Sequence, residues 1–129
     1  MESSSFWDDD YEPDNLLKYK GYFCTESNLN EYILFTFDKD YIFKKIEYYN
    51  YSDYKEARIK KIRIIFLDKK KRIITSNIIT IEEIERERIQ LILNNEGRYI
   101  KIEFLENYGE KYFCMKRIKF YVDTYYNLN

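Results

Sequence analysis

The chain contains no histidine. Its absence removes the commonest general base and the commonest metal ligand together, and with them any Ser–His or Cys–His nucleophilic pair. The two cysteines, Cys24 and Cys114, are too few for a tetrahedral zinc site. Three glycines, none clustered, make no phosphate-cradling loop. The 23 acidic residues leave carboxylate acid–base work formally open, yet no pair stands apart from the charges expected along strand edges. No catalytic residue, cofactor or metal site is expected. What the residue types offer is contact: fifteen Tyr and nine Phe supply broad apolar area, most of it carrying a hydroxyl handle. The same Ile, Lys, Tyr and Asn richness also follows from an AT-rich coding bias, so a tyrosine is not a ligand contact by its type alone.

At 129 residues the chain has room for one domain with a core. It is 45% hydrophobic and 35% charged, the balance of a soluble globular protein. The net charge of −1 hides an uneven layout. Residues 1–14 hold six acidic residues and no basic one, so the rest carries 22 basic against 17 acidic, a net of +5. That is too mild for a nucleic-acid protein, which concentrates basic charge on one face. No stretch approaches the roughly 18 apolar residues of a membrane span. The N-terminus lacks the positive and hydrophobic regions of a signal peptide, so a cytoplasmic or nuclear location is expected. In such a compartment Cys24 and Cys114, far apart in sequence, are expected to be reduced thiols.

The elements that must position these residues read as strands. Residues 1–14 form an acidic, flexible leader, with Trp7 as the one side chain expected to dock. Apolar and polar residues then alternate over Tyr32–Phe37, Ile42–Tyr49, Arg58–Leu67, Tyr99–Leu105 and Lys116–Val122. Turn-forming clusters punctuate them at Glu26–Asn28, Asp38–Asp40, Asn50–Lys55, Asp68–Lys71, Asn94–Gly97 and Asn107–Gly109. Thr80-Ile81-Glu82-Glu83 has capping-box form, but Arg88–Leu93 returns to alternation. A short turn or 3₁₀ piece near 80–85 followed by a strand over 87–93 fits both. The fold class is all-β, an antiparallel sandwich, with a domain over 15–122 and a tail at 123–129.

Three stretches together resemble the discoidin, or galactose-binding-like, jelly-roll family. They are Tyr22–Phe37, Tyr41–Tyr48, and the pair Arg98–Phe104 and Arg117–Tyr121 joined through Asn107 and Gly109. Met115-Lys116-Arg117-Ile118-Lys119-Phe120-Tyr121 is similar to the last strand of the DOC domain found in the substrate-recruiting subunit of the anaphase-promoting complex. That pattern has a histidine before the methionine, where this chain has Cys114. The resemblance implies a jelly roll whose ligand end gathers the loops at Tyr22–Asn28, Tyr51–Arg58 and Asn107–Phe113. Site residues carried over on that basis are Tyr22, Phe23, Glu26, Asn28, Tyr54, Arg58, Asn107, Tyr108, Lys111 and Tyr112. The aromatic members suit interface anchors or sugar stacking, and Arg58 and Lys111 suit acidic groups of a partner. The alternative for Phe23 and Tyr112 is that they pack beneath the loops as core.

The expected function is therefore a non-catalytic, partner-recruiting subunit of an intracellular complex, of the ubiquitin-ligase DOC type. Its alternative is a discoidin-type carbohydrate-binding module, which asks for a stacking Trp or His that the loops lack. Lys69-Lys70-Lys71-Arg72, with Arg58, Lys60, Lys61 and Arg63, is a third candidate surface, for nucleic acid. A run of that kind reads more readily as a solvated hairpin turn, so protein partners are expected, carbohydrate is the alternative, and nucleic acid is not expected.

Overall fold

A computed structural model describes residues 1–6, 22–50, 55–82 and 85–123. Among these are seven strands: β1 (Glu2–Ser3), β2 (Phe23–Cys24), β3 (Glu31–Asn50), β4 (Ile59–Leu67), β5 (Ile73–Thr80), β6 (Arg88–Asn107) and β7 (Cys114–Val122). One 3₁₀ turn covers Lys55–Ala57. Every ladder is antiparallel, along the path β2-β7-β3-β6-β4-β5, with β1 joined to β3. The all-β sandwich expected from alternation is what the chain forms.

The path folds over itself because β3 and β6 each run through both layers. Residues 31–36 of β3 pair with β1 and with 99–104 of β6, which continues to β4 and β5. Residues 41–50 of β3 pair with 88–97 of β6 and with β7, which carries β2. At the corner the ladder breaks between Thr36 and Tyr41, four residues of β3 against one of β6. Strands that switch sheets turn at such irregularities. The clusters Asp38–Asp40 and Asn94–Gly97, read as turns ending separate strands, are therefore bends within continuous ones.

Side chains from the two layers meet in one core. Ile33, Phe35, Ile62, Ile64, Phe66, Ile100, Ile102 and Phe104 come from the first layer. Phe23, Phe43, Ile46, Tyr48, Ile89, Leu91, Met115 and Ile118 come from the second. Phe35 meets Phe120 at 4.8 Å between ring centroids, and Phe43 meets Phe66 at 5.9 Å. Each fully buried Ile or Phe contributes about 1.5–3 kcal/mol over leaving it exposed. A register shift between Phe43 and Lys45 turns Phe43 inward, where simple alternation puts Ile42 and Lys44. Gly97 sits at the corner because the space is taken: a Cβ there would lie 3.3 Å from the Phe66 ring.

Two features depart from the sequence reading. Residues of the acidic leader are not all free: Glu2 and Ser3 pair with Leu34 and Ile33, and Ser4 N donates to Tyr32 O at 2.9 Å. The cysteines are not thiols. Cys24 and Cys114 stand opposite each other in the β2–β7 ladder, with Cα atoms 4.2 Å apart, and form a disulfide. A separation of 90 residues says nothing about distance once strands pair. The 14/15 boundary, Trp7, the 83–84 part of the capping-box segment and the tail from 124 lie outside the described residues.

Candidate functional site

The bends in β3 and β6 bring the start and the end of each long strand to the same end of the sandwich, with the loops at 22–30 and 107–113 and the turn at 55–58. These three segments are in direct contact. Thr25 N donates to Phe113 O and Phe113 N donates back to Thr25 Oγ1, at 2.9 and 3.0 Å. Asn28 Nδ2 donates to Glu110 O at 3.2 Å, and Tyr108 N donates to Glu56 O at 3.0 Å. The disulfide packs with Ala57 beneath half-buried Tyr22 and Tyr112.

The 107–113 loop is shaped by one side chain. Asn107 donates to the carbonyls of Glu110 and Tyr112, and its Oδ1 accepts from Gly109 N at 3.1 Å. An Asx turn of this kind suits Asn. Gly109 has φ +115°, a conformation that side-chain-bearing residues rarely adopt.

Of the ten residues carried over from the resemblance, the structure gathers Tyr22, Glu26, Asn28, Asn107, Tyr108, Lys111 and Tyr112 at this end. Glu26, Asn28 and Lys111 are exposed; the others are half-buried. Two are withdrawn from the surface there. Phe23 is fully buried in the core against Phe104, the packing alternative, because β2 is drawn under the loops by β7. Arg58 is buried as well, so its guanidinium is not presented to an outside partner. Tyr54 lies outside the described residues. Tyr108 is committed too, its hydroxyl donating to Ile81 O at 2.5 Å. Burial, and then the charge of Glu82, raises its pKa above the usual phenol value.

Beside these loops lie two adjoining depressions that sequence reading missed. One, about 220 Å³, runs from Asn28, Asn30 and Glu31 to Arg63 and Glu103. The other, about 340 Å³, runs from Lys60 and Glu106 to Asn107, Gly109 and Phe113. Asn28, Leu29 and Leu105 line both, and Leu29 stands between them 73% exposed. Asn30 turns the chain at φ 57° just before β3 begins.

The polar groups are ordered by their neighbours. Arg63 Nη1 meets Glu103 Oε1 at 2.7 Å, and Lys61 stands 3.6 Å from Glu106. Glu31 is a buried carboxylate, and hydroxyls of Ser4, Ser5 and Ser27 donate to it. Buried charge requires such satisfaction. Glu31 was missed because one Glu beginning a strand has no distinctive sequence signal, while Arg63 and Glu103 meet only across the β4–β6 ladder. The surface offers paired charges, side-chain amides and exposed leucine, with cations and carboxylates in near balance. That is equipment for holding a polar, largely uncharged ligand by several hydrogen bonds. Among the described residues no cluster of His, Cys, Asp and Glu is placed to hold a metal ion. No helix among them is long and apolar enough to cross a membrane.

No family model matches the sequence, and no curated protein does. Solved structures do. A fucose-binding module of Streptococcus pneumoniae superposes with a TM-score of 0.77 at 15% identity, covering 94% of this chain and 89% of its own. A CBM32 module from a family 31 glycoside hydrolase of Clostridium perfringens gives 0.78 at 16% identity, covering 95% and 89%. A family 32 carbohydrate-binding module from a C. perfringens protein, solved with galactose, gives 0.75 at 10% identity, covering 92% and 90%. Identities this low speak for architecture, and the architecture is consistent along nearly the whole chain. The chain has the galactose-binding-like jelly-roll fold.

Proposed function

We propose that this chain is a carbohydrate-binding module that holds a neutral sugar on the surface around Leu29, with no catalytic step of its own. The observation carrying this reading is the pair of depressions lined by Asn28, Leu29 and Leu105, on a fold shared with modules solved as fucose and galactose binders. Sugar hydroxyls both donate and accept. Arg63 and Lys60 donate to them, Glu103 and Glu106 accept from them, and the amides of Asn28 and Asn30 do both. Leu29 and Leu105 suit the apolar face of a pyranose.

This replaces the expected DOC-type recruiting role with its alternative. The DOC resemblance rested on the last strand, where Cys114 takes the place of a histidine. In the structure Cys114 is bonded to Cys24. None of the solved structures described above is a ubiquitin-ligase subunit.

A glycan array followed by calorimetric titration tests the reading. Binding of a neutral galactose- or fucose-terminated glycan is expected, and Arg63→Ala should weaken it about tenfold or more, as loss of a charged hydrogen bond does. Lys119→Ala, on the far layer, should leave the affinity unchanged. Absence of binding to any glycan, or equal effects of the two variants, defeats it.

A further inference from the structure

The hydrogen-bonded path ends at β5, which pairs with β4 on one side only among the described residues. Its sequence, Ile73-Ile74-Thr75-Ser76-Asn77-Ile78-Ile79-Thr80, holds no charged side chain in a chain where 35% of residues are charged. Ile73, Ile74 and Ile78 are 66%, 44% and 57% exposed. Proteins usually guard such an edge with lysine, proline or a very short strand. Neither residue type lies within these eight residues.

We propose that β5 pairs antiparallel with β5 of a second copy of this chain, about a two-fold axis passing between the two copies of Ser76. The strand's own pattern names the occupant, because it reads alike in both directions about that residue. In this register Ile74 meets Ile78 of the second copy, Thr75 meets Asn77, and Ser76 meets its own counterpart. Apolar thus faces apolar, polar faces polar, and the contact is isologous. A two-residue slip would set Ile78 against Ser76 and lose the match. Charge agrees with the same register. It sets the turn end of β5, with exposed Lys69 and Lys70, against the other end of the second copy's β5, where Glu82 is exposed. The basic run therefore acquires a use that needs no nucleic acid. Two copies so joined carry two loop-end surfaces, which raises the avidity for any repeated ligand.

The test uses the full chain. Sedimentation velocity across the micromolar range should show a concentration-dependent dimer. The described cysteines are bonded, so Ser76→Cys adds a free thiol on the axis. Mild oxidation should link it into a covalent dimer, while Thr80→Cys, far from its own counterpart in this register, should stay unlinked. Ile74→Lys or Ile78→Glu alone should raise the dissociation constant at least about tenfold. Combined, they should restore the dimer, since each lysine then meets a glutamate of the second copy. A monomer at every concentration, equal linking of the two cysteine variants, or a dimer indifferent to Ile74→Lys overturns the proposal. So does a monomer that captures a different protein.

Discussion

Thr25 and Phe113 hold each other by two hydrogen bonds, the Thr25 amide to the Phe113 carbonyl and the Phe113 amide to the Thr25 hydroxyl, at 2.9 and 3.0 Å. Both residues are buried, and together they pin the 22–30 loop to the 107–113 loop. Thr25→Val keeps the shape and deletes the acceptor. It leaves the Phe113 N–H buried and unpaired, at a cost of about 1–3 kcal/mol. Urea denaturation should register that loss, with Thr25→Ser closer to the parent than Thr25→Val.

The disulfide next to that pair closes a loop of 90 residues. Replacing both Cys24 and Cys114 by Ser should destabilise the chain by about 2–4 kcal/mol, by freeing the unfolded state. Equilibrium unfolding with and without reductant checks this. Reductant should weaken the parent and leave the double variant unchanged.

Gly97 marks the bend of β6. A side chain there must displace the buried Phe66 ring, which already packs on Phe43. Gly97→Val should cost about 1–3 kcal/mol through overpacking. Thermal melts should show it, and pairing it with Phe66→Leu should recover part of the loss by vacating the ring's space.

The β4–β5 turn carries a pH dependence of known sign. Asp68 accepts from the backbone N–H of Arg72 and of Lys70, and from the Arg72 side chain, and these bonds hold its pKa below the usual carboxylate value. A carboxylate depressed in the folded state adds stability that is full above its unfolded pKa, near about 4. That stability fades as pH falls through the lower folded value. Asp68→Ala should therefore be less stable than the parent at neutral pH, and the gap should close in acid below the depressed pKa. Denaturation curves at the two pH values measure it. A gap that widens in acid would reverse the sign.

How legible the molecule is in its sequence differs from strand to strand. Alternation at Tyr32–Phe37, Arg58–Leu67 and Lys116–Val122 announces strands because a half-buried sheet needs it. The joins at Asp38–Asp40 and Asn94–Gly97 mislead: clusters that end strands elsewhere here form a corner, where pairing resumes after a register shift. β5 escapes notice for the opposite reason. As an edge strand it is exposed on both faces for most of its length, so no alternation is imposed on it.

The sequence by itself determined the class of the protein. Periodicity two along the chain made an antiparallel sandwich. Only the tertiary structure decided what the loop end presents. Arg63 and Glu103 lie 40 positions apart, and Cys24 and Cys114 lie 90 apart. Such pairs are created by register between strands, a long-range property that neither residue's neighbours encode. Burial withdrew Phe23 and Arg58 from the surface for the same reason, since a side chain's exposure belongs to what packs over it.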